Sequence, residues 1–243
     1  MKLNCDLGES YGSWTMGMDS EVMPFIDMAN IACGFHAGDA DVMHKTLMLA
    51  KRHQVQIGAH PSYPDRQGFG RRSMNCSAAQ LINLLHYQIA ALDGMAQIHG
   101  MQLCYVKPHG ALYNDMMRDP AILATVFTAI ASYHKPLALM LLATAKQQQH
   151  QQQAQAEGID LLFEAFADRR YTDEGMLMPR SQAGAVLNKA EVLQQVKLLV
   201  NDAVVITESG QRLPLQADTL CVHGDNEAAI AQVQSIQQVL QAS

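Results

Sequence analysis

Short apolar runs alternate with longer segments of helical periodicity along the chain. The runs KLNCDL, MANIAC, VQIGA, QLCYVKP, LALMLL, LLFEAF and TLCVH have strand length. Between them, ADVMHKTLMLAKRH carries Val42, Leu47, Leu49 and Ala50 at helical spacing. SAAQLINLLHYQIAALDGMAQIHG opens on Ser77 as an N-cap and stops at Gly100. In DPAILATVFTAIASYH, Asp119 caps and Pro120 fills the first turn. NKAEVLQQVKLLVND and NEAAIAQVQSIQQVLQ complete the helical series. Strands alternating with helices predict a parallel sheet. Seven strand candidates without a halfway linker predict an α/β fold, a single seven-stranded β/α barrel over residues 1–243; a doubly wound open sheet is the alternative. The stretch AVVITESGQRLPLQAD departs from the alternation and predicts a small β-hairpin, turning at ESGQ, before the last strand. The Gln-rich tract from Gln147 predicts a polar surface helix with a solvated His150.

Both architectures place chemistry at the carboxyl ends of the strands. There the runs deliver polar groups instead of plain turn residues: Asp6 after KLNC, His36 after NIACGF, His60 after IGA, and Lys107 and His109 after LCYV. Asp168 and Arg169 follow LLFEAFA, and His223 and Asp225 follow TLCV. A lone strand-end His is usually a hydrogen-bonded structural residue; four in one chain point to a shared mouth. Such a cluster can hold a divalent metal that activates water, or act as general acid and base. Asn30, Glu9 and Asp39 are further polar candidates for the same mouth. Arg71 and Arg72 in GFGRR, and Arg169 and Arg170 in FADRRY, carry guanidinium forks suited to a carboxylate, although ion pairing with Asp65 or Asp168 would explain them equally well. His44, His53, His86, His99 and His134 fall on helical segments and read as structural. The loop ESYGSWTMGMD is either a lid or an ordinary long loop.

Composition narrows the class. Hydrophobic residues make up 49% and charged residues 16%, enough for a large core. A net charge of −6 without a basic run argues against nucleic acid as a partner. MKLNCDLGES lacks the pattern of a signal peptide, and no apolar run has the length of a membrane span, so a soluble cytoplasmic protein with no membrane contact is expected. The five cysteines include no CxxC pair; Cys5, Cys33, Cys104 and Cys221 lie in or beside strand-like runs and read as small buried hydrophobes in a reducing compartment, with a nucleophilic thiol at Cys33 or Cys221, nearest the histidines, as the alternative. No phosphate-binding GxxxxGK[ST], no GxGxxG after the first strand, no GxSxG and no HExxH is present.

Taken together and in order, NCDLGES, NIACGFHAGD, IGAHPSYPD with GFGRR, VKPHGALYN, FADRRY and CVHGD resemble the LamB/YcsF family of 5-oxoprolinase A subunits. The resemblance runs from Asp6 to Asp225, and the Gln-rich tract is the visible departure. It implies a barrel similar to those of glycoside hydrolases and polysaccharide deacetylases. It further implies ring opening of 5-oxo-L-proline (pyroglutamate) to L-glutamate coupled to ATP hydrolysis, together with subunits B and C. On that reading ATP is a cosubstrate handled with the partners, and this chain is the lactam-hydrolysing component. Asp6, His36 or His60 would activate water, directly or through a metal. Lys107 and His109 would stabilise an oxyanion or protonate the leaving nitrogen, and Arg71 or Arg169 would hold the substrate carboxylate. Asn30, His223 and Asp225 complete the substrate contacts. Two rival readings remain: a stand-alone deacetylase of N-acetylated sugars with a metal on Asp6, His36 and His60, and a non-catalytic subunit that presents the substrate.

Overall fold

A computed structural model describes residues 1–224 and 226–241. Seven parallel strands close into a barrel in the order β1 (Lys2–Leu7), β2 (Met28–Ala32), β3 (Gln56–His60), β4 (Leu103–Val106), β5 (Ala138–Leu142), β6 (Leu161–Phe166) and β9 (Thr219–Val222), the last pairing with β1. The helices are α1 (Asp19–Val22), α2 (Ala40–His53), α3 (Ala78–Ile98), α4 (Gly110–Arg118), α5 (Pro120–Ala131), α6 (Gln147–Ala156), α7 (Lys189–Asp202) and α8 (Glu227–Gln241). The expected hairpin is present as β7 (Val204–Ile206) and β8 (Arg212–Pro214), an antiparallel pair separate from the barrel. Among the described residues no helix is long and apolar enough to cross a membrane.

Local chemistry sets the helix ends. Ser77 and Gln80 form a reciprocal capping box at the start of α3, and Asp119 accepts from the Ala121 N–H ahead of Pro120. The Gln-rich tract is a helix, but His150 is buried with Ala154, four residues on, against the body of the protein. One helical face of the tract therefore packs, and His150 is not solvated. Cys5, Cys33 and Cys221 are buried as expected, whereas Cys104 lies exposed on β4.

The period of two along the strands sorts residues between the barrel interior and the helix layer. Leu3, Cys5, Ala29, Ile31, Ile57 and Ala59 join the main core. Their alternates face inward and change character along the barrel axis. Met28, Tyr105 and Met140 pack with Ala138 and Leu162 as an apolar floor. Gly58 leaves space for the Tyr105 ring, since a β-carbon there would stand 2.1 Å from a ring carbon. Above this floor the interior is polar. Asn4 donates to Thr219 Oγ1, Asn30 donates to Asn4 and Asp6, and the Tyr105 hydroxyl donates to Asn30 Oδ1. A barrel apolar at the amino ends of its strands and polar at the carboxyl ends has only one end suited to chemistry.

Candidate active site

The polar end is organised around Lys107. Its ammonium is 3.0 Å from Asp6 Oδ1 and 2.9 Å from Glu164 Oε2, and it donates to Asn4 Oδ1 at 3.2 Å. Cys221 Sγ lies 3.3 Å from the same nitrogen. The Lys107 side chain is 3% exposed and that of Glu164 0%, so neither charge would be tolerated without the other. Burial disfavours the ammonium, but Asp6, Cys221 and Glu164 outweigh it and hold the Lys107 pKa well above its ordinary value. Burial likewise opposes ionisation of Asp6, and His60 and Lys107 overcome it, leaving the carboxyl well below the usual carboxylate range. The Lys107 ammonium is thus enclosed and directed at Asp6, Glu164 and Asn4.

Beside Asp6, three imidazoles come together. His60 ends β3, His36 stands in the β2–α2 loop, and His109 precedes α4. The rings of His36 and His109 stack at 3.8 Å, and His60 meets both edge-on. His60 Nε2 lies 3.3 Å from Asp6 Oδ2 and 2.9 Å from His109 Nδ1. Burial first, then neighbouring positive charge, pushes the pKa values of His36 and His109 well below the ordinary value, so both rings are neutral near pH 7. Glu9, from the loop after β1, reaches His36 Nε2 at 3.3 Å and His109 Nδ1 at 3.6 Å. Among the described residues, the donors that lie within 4.8 Å of one another are those of Glu9, His36, His60 and His109. Asp6 stands next to this group rather than in it. The GFGRR motif roofs the cluster: Gly70 sits at φ +63°, and a β-carbon there would lie 2.8 Å from His109 Cδ2 and 2.9 Å from His36 Cβ.

His223 does not join the three. On the β6–β9 side its Nδ1 lies 3.0 Å from Asp168 Oδ2, and its Nε2 is 3.2 Å from the Arg180 guanidinium. Burial works against a protonated His223, yet the Asp168 carboxylate raises its pKa above the ordinary value; Asp168 itself, in spite of burial, is held low by His223. The sign follows. The His223 contribution to stability is full below its unfolded pKa, about 6.5, and disappears as pH rises through the raised folded value; the Asp168 contribution disappears as pH falls through its lowered one. Urea unfolding of His223→Gln across pH is therefore expected to show a deficit of about 1.5–3 kcal/mol between about pH 4 and 6.5 that shrinks in alkali. A deficit that grows with alkali would contradict the pairing.

The remaining candidates divide. Asn30 lies within the barrel network, behind Asp6. Arg71 is exposed, its guanidinium 5.1 Å from the Phe69 ring centroid and close enough to act on His36. Arg169 is buried and donates through one terminal nitrogen to the Met178 carbonyl at 2.5 Å, while its Nε has no hydrogen-bond partner. Arg72 pairs with Asp65, Arg170 with Glu191, and Asp39 caps α2. Asp225 lies outside the described residues. The loop after β1 closes through a Tyr11–Trp14 bridge and is held by Asp39 and Arg66, as an ordered loop would be.

The comparisons with known proteins bear on the whole chain at once. The LamB/YcsF family profile matches residues 1–243. The chain belongs to the LamB/YcsF family. Its relatives include a 5-oxoprolinase A subunit, numbered 2, of Pseudomonas putida, 54% identical over 98% of this chain and 93% of that protein. Another is the 5-oxoprolinase A subunit of Vibrio campbellii, 52% identical over 99% and 95%. The crystal structure of the lactam utilization protein from Thermus thermophilus superposes with a TM-score of 0.91 at 34% identity, covering 100% of this chain and 96% of that one. A putative cellobiose-phosphate cleavage protein from Enterococcus faecalis shares the fold at a TM-score of 0.58 and 11% identity, covering 99% and 92%. Glu164, against Lys107, and Arg180, against His223, are the neighbours of the candidate site of this LamB/YcsF chain that strand-end reasoning misses. Glu164 had a signal, a carboxylate inside an otherwise apolar strand; Arg180 had none.

Proposed function

We propose that this chain is the A component of a 5-oxoprolinase, the hydrolytic component that opens 5-oxo-L-proline to L-glutamate with ATP as cosubstrate and subunits B and C as partners. The observation that carries the reading is whole-length identity to proteins of that name, in a chain whose polar barrel end gathers Asp6, Lys107 and three histidines.

A lactam is a resonance-stabilised amide and a poor electrophile. Transfer of a phosphoryl group from ATP to its oxygen, assigned to the partners, makes the ring carbon attackable. Water then adds to that carbon. The C–N bond breaks as the nitrogen takes a proton, and a second water hydrolyses the resulting acyl phosphate to L-glutamate and phosphate. Asp6, ionised and partly exposed, accepts the proton of the attacking water. His223, supported by Asp168, supplies the proton to nitrogen from Nε2 once Arg180 has turned from that atom to the substrate carboxylate. Arg71 and Arg180 meet the substrate carboxylate, the second taking the part expected of Arg169.

The test mixes the purified chain with 5-oxoproline, ATP and heavy-oxygen water, with and without the partner subunits, and reads labelled L-glutamate by mass spectrometry. Turnover only in the mixture containing all components is expected. Full-rate turnover by this chain alone, or by the partners without it, would refute the division of labour. The deacetylase reading draws no support from the Enterococcus faecalis structure, whose likeness extends to the fold alone.

A further inference from the structure

We infer that His36, His60, His109 and Glu9 form a binding site for one divalent cation of the zinc class. The argument starts from tautomers. A carbonyl oxygen only accepts, so the ring nitrogen facing it must carry hydrogen. His60 Nδ1 is 2.7 Å from the Lys107 carbonyl, and His109 Nε2 is 2.9 Å from the Phe69 carbonyl. With both rings in the neutral form that metal ligation requires, those bonds use the one N–H of each. The nitrogens left over, His60 Nε2 and His109 Nδ1, are bare lone pairs, and they face each other at 2.9 Å. Two acceptors at that distance repel unless a positive centre lies between or beside them.

A shared proton would satisfy that pair and leave the third ring unexplained. His36 is 1% exposed, and neither of its nitrogens makes a hydrogen bond. Its Nε2 lies 3.3 Å from Glu9 Oε1, which in turn lies 3.6 Å from His109 Nδ1. A metal with bonds of about 2.0–2.1 Å to imidazole sets its donors about 2.9–3.4 Å apart, for right-angled to tetrahedral geometry. Three of the spacings, 2.9, 3.3 and 3.6 Å, fall in or near that range, and all four donors lie within 4.8 Å of one another. Backbone carbonyls that fix the distal N–H of each ring are the usual outer partners of metal-binding histidines. Three imidazoles and one carboxylate suit zinc, cobalt or manganese better than magnesium or calcium, which prefer all-oxygen sites. Asp6 stands beside the group: its Oδ1 is held by Asn30 and Lys107, and its Oδ2 lies 3.3 Å from His60 Nε2. An ion in this place would act as a Lewis acid toward a carbonyl or phosphoryl oxygen at the mouth. The inference is independent of the proposed substrate, since any ligand of this mouth would meet the same donors.

The full chain is treated with chelator, dialysed, and titrated with zinc by calorimetry and with cobalt by visible absorption. One ion per chain is expected, with a tetrahedral or five-coordinate cobalt spectrum and a rise in Tm on saturation. His36→Gln and Glu9→Gln should each weaken binding by at least about 10- to 100-fold. Both keep side-chain volume, and circular dichroism checks that they fold. His44→Ala, which removes half of the exposed His44–His99 pair, should leave stoichiometry and affinity unchanged. Absence of stoichiometric binding, undiminished affinity in both Gln variants, or loss of binding in His44→Ala would each overturn the site. None of these readouts depends on oxoproline turnover, so failure of the metal site and failure of the proposed reaction can be told apart.

Discussion

Replacing Lys107 by Met is expected to destabilise the chain by about 3–5 kcal/mol, the range found when one partner of a buried ion pair is removed. Met matches the length of the lysine stem, so the loss is electrostatic. Glu164 and Asp6 would then face each other across the barrel with no cation, and Glu164, with 0% exposure, has no route to water. Burial already pushes the Asp6 carboxyl upward; without the ammonium one of the groups that offset this push, beside His60, is gone, and its pKa rises. The kcat of the complex containing this chain should fall by at least about 100-fold, since general-base catalysis contributes about 100- to 10,000-fold. The surviving activity should gain an acid limb that the wild type lacks. A purely structural lysine would not shift the pH profile. The double variant Lys107→Met/Glu164→Gln separates the roles further. Neutralising the stranded carboxylate should restore most of the stability measured in urea and little of the activity. Recovery of both together would mean that Lys107 supports the fold and does nothing for Asp6.

The barrel could be read from the chain because its strands are covered on both sides. Each one needs apolar residues toward the helices, and seven such runs separated by helical segments have few other arrangements. The caps at Ser77 and Asp119 and the hairpin at ESGQ were visible because each depends on local backbone chemistry alone. The burial of His150 is not legible for the opposite reason: in a run of glutamines nothing in the pattern marks which face packs, and only the body of the protein beside α6 decides it.

The site was legible in proportion to how near its residues stand to strand ends. His36, His60 and His109 converge because β2, β3 and β4 are neighbours in the barrel. His223 comes from β9, on the far side of β1, and so pairs with Asp168 from β6, the other neighbour of β9. Neither strand adjacency nor this split follows from residue type. Inward alternation, applied one step deeper, would have exposed Glu164: it lies two residues before Phe166, as Asn4 lies two before Asp6. That Arg180 reaches His223 while Arg169 turns to Met178 is not legible because the connection between β6 and α7 has no periodicity; its course depends on bridges such as Arg169 to Val186.

Asp6→Asn should lower kcat of the assembled complex by about 100- to 10,000-fold, with a smaller loss of stability than Lys107→Met because Glu164 still pairs with the ammonium. Asn keeps the size of the side chain and still offers an oxygen to Asn30 and Lys107 through the same geometry. It cannot take a proton from water. With the wild-type carboxyl held well below the ordinary carboxylate range, Asp6 stays ionised throughout the neutral region, so protonation of this group should set no acid limb in kcat above about pH 4. The same variant decides between a hydrolase and a component that merely presents substrate. A presenting component would lose activity only as far as binding weakened, with KM rising and kcat unchanged. A hydrolase would retain KM and lose kcat, because the missing proton acceptor is needed only as water attacks. A variant with wild-type kcat would remove Asp6 from the chemistry and, with it, the reason for a buried lysine and glutamate to stand behind it.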